Sequence, residues 1–472
     1  MKDASHKASI TFYGGAGVVT GANFLLDAGD VKILIDCGAV EREIAHHAID
    51  SGSARMMIPV CDSINTQPFA YDPAGIDALI VTHAHADHIG RIPKLVHDGF
   101  TGPIYSTPAT RDLAALMFDD AIRVMEGENE RHGCDMVYQK EDAAAALALW
   151  QPHEYHEPFE IRSATVEFFD AGHILGAAMV RCTRNGRSIL FTGDLGNSPE
   201  PLLNDTEIPD GINYVLMESV YGDRVHEGRD QRAEILRGVI EDVRRRGGAL
   251  LIPSFSIERT QILLYEIERM LEDGSMAPIP VYLDAPLAIR VTEVFRRYMR
   301  LLKPEVQARF ESGNDPFQFP GLTLTEDISE SRTIHTAPNP KVIIAGAGMS
   351  AGGRIRSHET HYLSDANATV LFVGYQAPGS LGRRIQDGNK HVTIDGKKVR
   401  VRARIAALTG YSGHRDRDGL MDFIEQLGPS VERVFVAMGE PRSEMFLSQR
   451  IRDFLGIDAH APEQGQKIEI DW

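Results

Sequence analysis

Residues 77–88 join an apolar strand to a dense run of ligand side chains. Asp77-Ala78-Leu79-Ile80-Val81-Thr82 reads as a buried strand, and His83-Ala84-His85-Ala86-Asp87-His88 follows with no spacer. Period-two alternation aims His83 and His85 the same way, while the turn after them carries Asp87 and His88 elsewhere, so one segment can feed two metal ions. Imidazole nitrogen and carboxylate oxygen are donors that zinc takes, and the intervening alanines permit the close approach a cluster needs. A sheet must therefore end at a metal centre, with zinc or another transition metal favoured over a solvated loop.

The remaining ligands of a two-metal site have to come from distant segments. The best candidates are His173 in DAGHILGAA, Asp194 in FTGDLG and His414 in YSGHRD, each at a glycine-marked turn after an apolar run. A lone histidine is more often a hydrogen-bonded core or surface residue, so each gains weight only beside the hexapeptide. His46, His47, His153, His156, His226 and His361 match no ligand pattern.

Short strands with a glycine turn are expected over residues 8–37, and further strands at 165–170, 178–183 and 188–192, each ending in a small polar turn. From about 230 the pattern changes to helix 230–246, strand 249–253, helix 257–273, strand 279–283, helix 286–302, strand 341–345 and strand 369–373. Such alternation implies a parallel sheet covered on both faces. After 391 the sequence is β-rich again, with 399–405 alternating apolar and basic, then helix 416–427 and strand 431–437. The middle block reads as an α/β insertion in a β-rich domain, and 303–340 is weakly patterned.

At 472 residues the chain exceeds what one core supports, so at least two domains are expected. Its net charge of −18 excludes bulk attraction to nucleic acid or to an anionic membrane, so a polyanionic substrate needs a local basic groove. Cys37, Cys61, Cys134 and Cys182 form no CxxC pair, which predicts reduced thiols and a cytoplasmic setting. The N-terminus lacks the apolar stretch of a signal peptide, and no apolar run reaches the ~18–20 residues of a membrane span.

The order and spacing of Asp36 in LIDCG, the HAHADH hexapeptide, His173 and Asp194 resemble the metallo-β-lactamase superfamily. The likeness continues through Glu218 in MESVYGDR, IPSFSIERTQILLYEI at 252–267, VYLDAPLAIRVTEVF at 281–295, AGAGMSAGGR at 345–354 and GYQAPGSLGRRI at 374–385. These segments are similar to the β-CASP branch, the nucleic-acid-processing nucleases. The resemblance implies an α/β fold, a metallo-β-lactamase αββα sandwich with an inserted β-CASP α/β domain, bounded as 1–220, 221–383 and 384–472. The compact prokaryotic form of the family is expected, without a KH-type extension before this core or a long C-terminal domain after it.

By the same resemblance, one Zn²⁺ is expected on His83, His85, His173 and Asp194, and a second on Asp87, His88, Asp194 and His414, with Asp194 bridging and Asp36 behind the ligands. The implied reaction is hydrolysis of RNA phosphodiester bonds by a hydroxide held between the two metals, in a cleft between the domains, leaving 5′-phosphate and 3′-hydroxyl ends. Catalytic roles are expected for Asp87, Glu218, Arg384 and His414. A histidine at the position of His414 is typical of RNA-processing members. Two positions depart from the family pattern: Arg384 stands where many members have a histidine, and Ala437-Met438-Gly439-Glu440 replaces a VHGE signature. A guanidinium cannot shuttle protons near neutral pH, though it can bind phosphate and pair with Glu218.

Substrate contacts are expected from Arg383 and Arg384 and from the glycine-rich turn Ser350, Gly352, Gly353 and Arg354, whose backbone N–H groups can face a phosphate. Residues 383–417 hold ten Lys or Arg against three Asp, the local basic stretch that an acidic chain needs to receive RNA. The expected partner is RNA, with no membrane, and a homodimer is left open. Rival readings are a small-molecule thioester or lactone hydrolase on the same centre, which the insertion and Glu218 disfavour, and a non-cleaving RNA-binding scaffold, which the complete ligand set disfavours. A di-iron redox protein is disfavoured by His85, where that lineage carries glutamate.

Overall fold

A computed structural model describes residues 7–40, 64–226, 231–377 and 379–472; His46, His47 and Cys61 lie outside them. The described chain divides into two compact units. The first runs to Val225 and resumes over His414–Trp472, and the second spans His226–Gly413.

Two seven-stranded sheets form the first unit. One has the order Lys467–Asp471, Lys7–Gly14, Asn23–Asp27, Lys32–Ile35, Ala78–Ile80, Ile104–Ser106 and Trp150–Pro152. The other has the order Asp458–His460, Arg433–Val436, Tyr214–Met217, Arg187–Phe191, Ala178–Arg184, Ala164–Asp170 and Phe159–Ile161. Alternate residues of both sheets, among them Ile10, Phe12, Ile33, Ile35 and Ile80 against Val166, Phe168, Val180, Phe191 and Phe435, are buried in one shared core. The sheets therefore pack face to face, and each such large side chain contributes ~1.5–3 kcal/mol by leaving water. Helices Pro108–His132 and Lys140–Ala148 lie along the first sheet, and Arg417–Leu427 and Pro441–Arg450 along the second. This is the αββα sandwich expected. The long helix Pro108–His132 has no counterpart among the expected elements because its polar residues interrupt the apolar stripe.

The second unit is an α/β body around a six-stranded sheet. Its order is Leu322–Leu324, Val281–Asp284, Lys341–Ala345, Ala249–Pro253, Thr369–Phe372 and Arg404–Ala407, with every neighbouring pair parallel. Helices Arg232–Arg246, Arg259–Glu272 and Pro286–Arg297 intervene as the alternation predicted. Residues 303–340 resolve into helix Pro304–Glu311, strand Leu322–Leu324 and helix Ile328–Thr333. The expected return to the first domain at 384 is corrected, because 384–413 stays in the second unit. The reason is register: Arg404–Ala407 pairs in parallel with Thr369–Phe372 and completes that sheet. Within this stretch the alternating segment is two strands, because Lys397–Arg400 turns back on His391–Ile394 through Asp395-Gly396 before Arg404–Ala407 begins. Both turn residues have positive φ, 48° and 77°, the conformation of a tight hairpin turn.

Cys37 and Cys182 are buried free thiols, and burial pushes the Cys37 thiol up to about 12. Cys134 is disulfide-bonded, which corrects the expectation of reduced cysteines. Among the described residues, no helix is long and apolar enough to cross a membrane.

The second unit also buries charge. Asp284 has no exposed surface and accepts from Thr325 Oγ1 at 2.7 Å, Ser331 Oγ at 2.6 Å, His358 Nε2 at 2.7 Å and the Arg354 guanidinium. These donors outweigh burial and hold the carboxyl well below its usual range. His358 Nδ1 lies 3.1 Å from His335 Nε2, and burial together with the His358 and His361 rings lowers His335 to about 4. Since the unfolded value is about 6.5, the unfolded chain binds more protons over this interval, so stability is lost as the pH falls from about 6.5 towards 4. Calorimetry across that range should show a falling unfolding midpoint, and His335→Gln should flatten the decline.

Candidate metal centre

The site is assembled by backbone contacts between loops. Ala22 N donates to Asp87 O at 2.8 Å and Cys37 N to His88 O at 2.8 Å, so the LIDCG turn lies directly on the hexapeptide. A Cβ at Gly38 would sit 1.6 Å from Asp87 O, which is why glycine is required there. Gly196 plays the same part between the two distant loops: its N–H donates to Ala171 O at 2.9 Å, and a Cβ would meet Gly172 O at 1.8 Å. The DAGH and FTGDLG turns are thus locked together, carrying His173 and Asp194.

Asp36 anchors the hexapeptide from behind. Its carboxylate accepts from Thr82 N at 2.8 Å, Thr82 Oγ1 at 2.8 Å and His88 Nδ1 at 2.7 Å. The Thr82 hydroxyl proton is committed to Asp36, so its oxygen accepts from His83 Nδ1 at 3.1 Å. Both imidazoles therefore carry a proton on Nδ1 and turn Nε2 inward, the orientation that metal-binding histidines are given by their hydrogen-bond partners. Thr82 is not among the candidates that sequence singles out; its place at the strand end directly before the ligands is the available signal.

Four ligand atoms converge on one point: His83, His85, His173 and Asp194 each offer an atom within 4.8 Å of the others. Asp194 Oδ2 is 3.3 Å from His83 Nε2 and 3.4 Å from His173 Nε2, and His85 Nδ1 is 3.1 Å and 3.3 Å from the same two nitrogens. A second group gathers Asp194, Glu218 and His414. Beside it, His88 Nε2 lies 3.3 Å from Asp194 Oδ1 and 3.9 Å from Asp87 Oδ2. Asp194 Oδ1 thus faces His88, while its Oδ2 faces His83, His173 and, at 3.9 Å, His414. The seven candidate ligands are brought together, and Glu218 joins them: its Oε1 lies 3.2 Å from His414 Nδ1 and accepts from Leu195 N at 2.8 Å.

Protonation reflects this crowding. Burial lowers His83, with the His88 charge adding to it, and drives His85 and His173 well below the histidine range, the neutral form that metal binding needs. Burial also opposes charge on His88 and His414, but carboxylates outweigh it: Asp194, Asp36 and Asp87 hold His88 well above its ordinary value, and Glu218 and Asp194 raise His414 to about 9. Burial raises Glu218, whereas the surrounding imidazoles overcome burial at Asp194 and hold it well below the carboxylate range.

The donor set fits metal ions. His88 Nε2 and Asp194 Oδ1 are buried, without a hydrogen-bond partner, and face one another across 3.3 Å. With the Nδ1 proton given to Asp36, His88 offers an Nε2 lone pair once a metal displaces its second proton, and a cation then satisfies both atoms.

The substrate candidates lie on the second unit. Ser350 is fully buried and gives its hydroxyl to Glu359 Oε1 at 2.5 Å, while Arg354 is held by Asp284 and by the carbonyls of Thr325 and Glu326. The side chains of both are committed inside that unit, leaving the backbone of Gly352 and Gly353 as the accessible part of the turn. Arg383 Nε donates to Asp387 at 2.9 Å, and Arg384 is half-buried with an unpartnered Nε on helix Leu381–Gln386. Met438, at the second departure from the family pattern, is a buried apolar residue whose N–H donates to Gly15 O at 2.6 Å. Of the histidines outside the site, His153 stacks on Phe159 and His361 on His335.

Comparison with known proteins decides the family. Residues 16–254 match the metallo-beta-lactamase superfamily, 260–385 the Beta-Casp domain, and 398–462 the Zn-dependent metallo-hydrolase RNA specificity domain. The chain belongs to the metallo-beta-lactamase superfamily, in its Beta-Casp branch. It is accordingly a metal-dependent hydrolase. Ribonuclease TTHA0252 of Thermus thermophilus is 36% identical over 93% of this chain and 94% of its own. Transcription termination factor FttA of Methanosarcina mazei is 30% identical over 96% of this chain and 70% of its own, and FttA of Methanocaldococcus jannaschii is 30% identical over 98% and 71%. A crystal structure of a protein of unknown function from Enterococcus faecalis shares the fold, with a TM-score of 0.56 at 12% identity over 98% of this chain and 100% of that one.

Asp36→Ala removes the acceptor that fixes both His88 and, through Thr82, His83. Metal-competition titration should show a ~10–100-fold loss of affinity with the fold retained by circular dichroism.

Proposed function

We propose that this protein is a zinc-dependent ribonuclease of the cytoplasm that hydrolyses RNA phosphodiester bonds to 5′-phosphate and 3′-hydroxyl ends. The observation that carries the reading is the buried pair of unpartnered atoms, His88 Nε2 and Asp194 Oδ1, the latter on a carboxylate whose other oxygen faces His83, His173 and His414. His83, His85, His173 and Asp194 would hold one Zn²⁺, and Asp87, His88, Asp194 and His414 the other. When bound, such a pair supplies Lewis acidity, making a water nucleophilic near neutral pH and offsetting phosphodiester charge.

The chain's own residues set the remaining conditions. Asp36 and Thr82 fix which ring nitrogens face inward. Glu218 accepts from His414 Nδ1 and so orients that ring beside the ligand cluster. The backbone of Gly352 and Gly353 and the guanidinium groups of Arg383 and Arg384 are proposed to bind phosphates of the substrate. RNA is favoured over DNA by the histidine at 414 and by the relatives, one named a ribonuclease and others named transcription termination factors.

End-labelled single-stranded RNA and its DNA counterpart, incubated with the zinc-loaded protein, test this reading. RNA should be cut in preference to DNA, and Asp87→Ala and His414→Ala should each lower the rate roughly 10²–10⁴-fold at unchanged folding. Wild-type protein that binds metal yet cuts neither polymer would overturn the nuclease reading in favour of a non-cleaving scaffold or a small-molecule hydrolase.

A further inference from the structure

The hairpin His391–Ile394 with Lys397–Arg400 carries a charge distribution that the metal centre does not explain. Val392, Ile394 and Val399 are buried in the core of the second unit. The pleat therefore turns the opposite face outward, where the register pairs His391 with Arg400 and Thr393 with Lys398. Lys390 precedes this face, Lys397 closes the turn and Arg402 continues it, and Lys390, Lys397, Lys398, Arg400 and Arg402 are all exposed.

The carboxylates of this neighbourhood are already engaged. Asp387 pairs with Arg383 at 2.9 Å, Asp395 with Arg356 at 2.8 Å, and Asp242 with Arg404 at 3.1 Å. Among the described residues, none of the five cations has an ion pair. A chain of net charge −18 thus leaves five cations uncompensated along one small ribbon, while its helical arginines, such as Arg237 and Arg244, are matched to acids three residues away. Guarding a strand edge against mispairing takes a single well-placed lysine and does not call for a row of cations standing on the sheet face.

We propose that this hairpin is a docking surface for the sugar-phosphate backbone of single-stranded RNA, carried by the second unit and sharing no residue with the metal centre. The inference rests on the ribonuclease reading and adds to it where the RNA is gripped. Outward side chains two residues apart are ~6.6–6.8 Å apart along a strand, so Lys398, Arg400 and Arg402 form a row that can follow a backbone, with Lys390 and Lys397 exposed at the ends of the ribbon. Binding of this kind is electrostatic and indifferent to base sequence, and its mark is salt dependence: each phosphate neutralised on a single strand contributes ~0.7 to the slope of log affinity against log salt.

The test measures binding of a cleavage-resistant phosphorothioate single-stranded RNA of about 20 nucleotides to the zinc-loaded protein over a salt series. Neutralising all five positions to Gln should weaken binding roughly 10–100-fold and reduce the slope by about 3. A control with the same charge change, Arg123, Arg131, Arg237, Arg244 and Arg245 to Gln, should leave the slope near wild type. If the fivefold variant does not fold, Lys398→Gln and Arg400→Gln singly should each reduce the slope by ~0.7, and Lys398→Arg should restore it. An unchanged slope in a hairpin variant, while wild type cuts and binds RNA, overturns the docking surface alone. An equal loss in the control overturns it too, in favour of a net-charge effect. A wild type that neither binds nor cuts RNA overturns both this inference and the ribonuclease reading.

Discussion

The first unit is organised around a carboxylate that cannot be buried alone. Asp194 is almost fully enclosed, and its oxygens face imidazoles from the hexapeptide, from the His173 turn and from His414. Burying an unpaired charge is prohibitive, so the site is stable only if imidazolium or a metal cation compensates it. In the metal-free chain the surrounding carboxylates raise His88 and His414, while burial lowers His85 and His173. A cation would take over this compensation, displacing the proton that the carboxylates favour on His88. Fold and chemistry are thus one requirement: loops distant in sequence must close to backbone contact for the charge to balance.

Closure of that kind is achieved by strands that stop early and by glycines that let main chain touch main chain. Ala78–Ile80 ends just before the ligands, and Gly38 and Gly196 sit where any side chain would collide with a neighbouring carbonyl. The sandwich core behind them is rigid and apolar, which keeps the ligand atoms within a few tenths of an ångström of a workable arrangement. The second unit manages charge differently. Its buried Asp284 is satisfied wholly by internal donors, whereas its outer hairpin leaves cations in solvent. One arrangement serves stability, and the other is suited to a polyanion.

Most of the candidate site is legible in the amino-acid sequence. The hexapeptide, His173, Asp194 and His414 announce themselves through ligand chemistry at strand ends, and Asp36 and Glu218 through resemblance. What sequence does not convey is competition for hydrogen bonds. Ser350 and Arg354 look like phosphate contacts in a glycine-rich turn, yet Glu359 and Asp284 occupy their side chains, and those partners come from elsewhere in the fold. Thr82 escapes notice for the converse reason: a threonine has no distinctive spacing, and its role arises only from its position between Asp36 and His83. The segment 384–413 joins the second body rather than the first because its pattern fixes strand character but not which sheet it enters.

The sequence alone determined the periodicities, the ligand types and their order along the chain, since these follow from side-chain chemistry and local backbone preference. It therefore indicated an α/β block inserted in a β-rich domain and a histidine-rich candidate metal centre, and the family resemblance of its motifs implied the αββα sandwich. Tertiary structure alone decided which nitrogen of each imidazole faces inward, that Thr82 links Asp36 to His83, that Cys134 is disulfide-bonded, and which cations are left without ion pairs. Those properties depend on distances of a few ångströms between residues tens to hundreds of positions apart, and no local pattern encodes such distances.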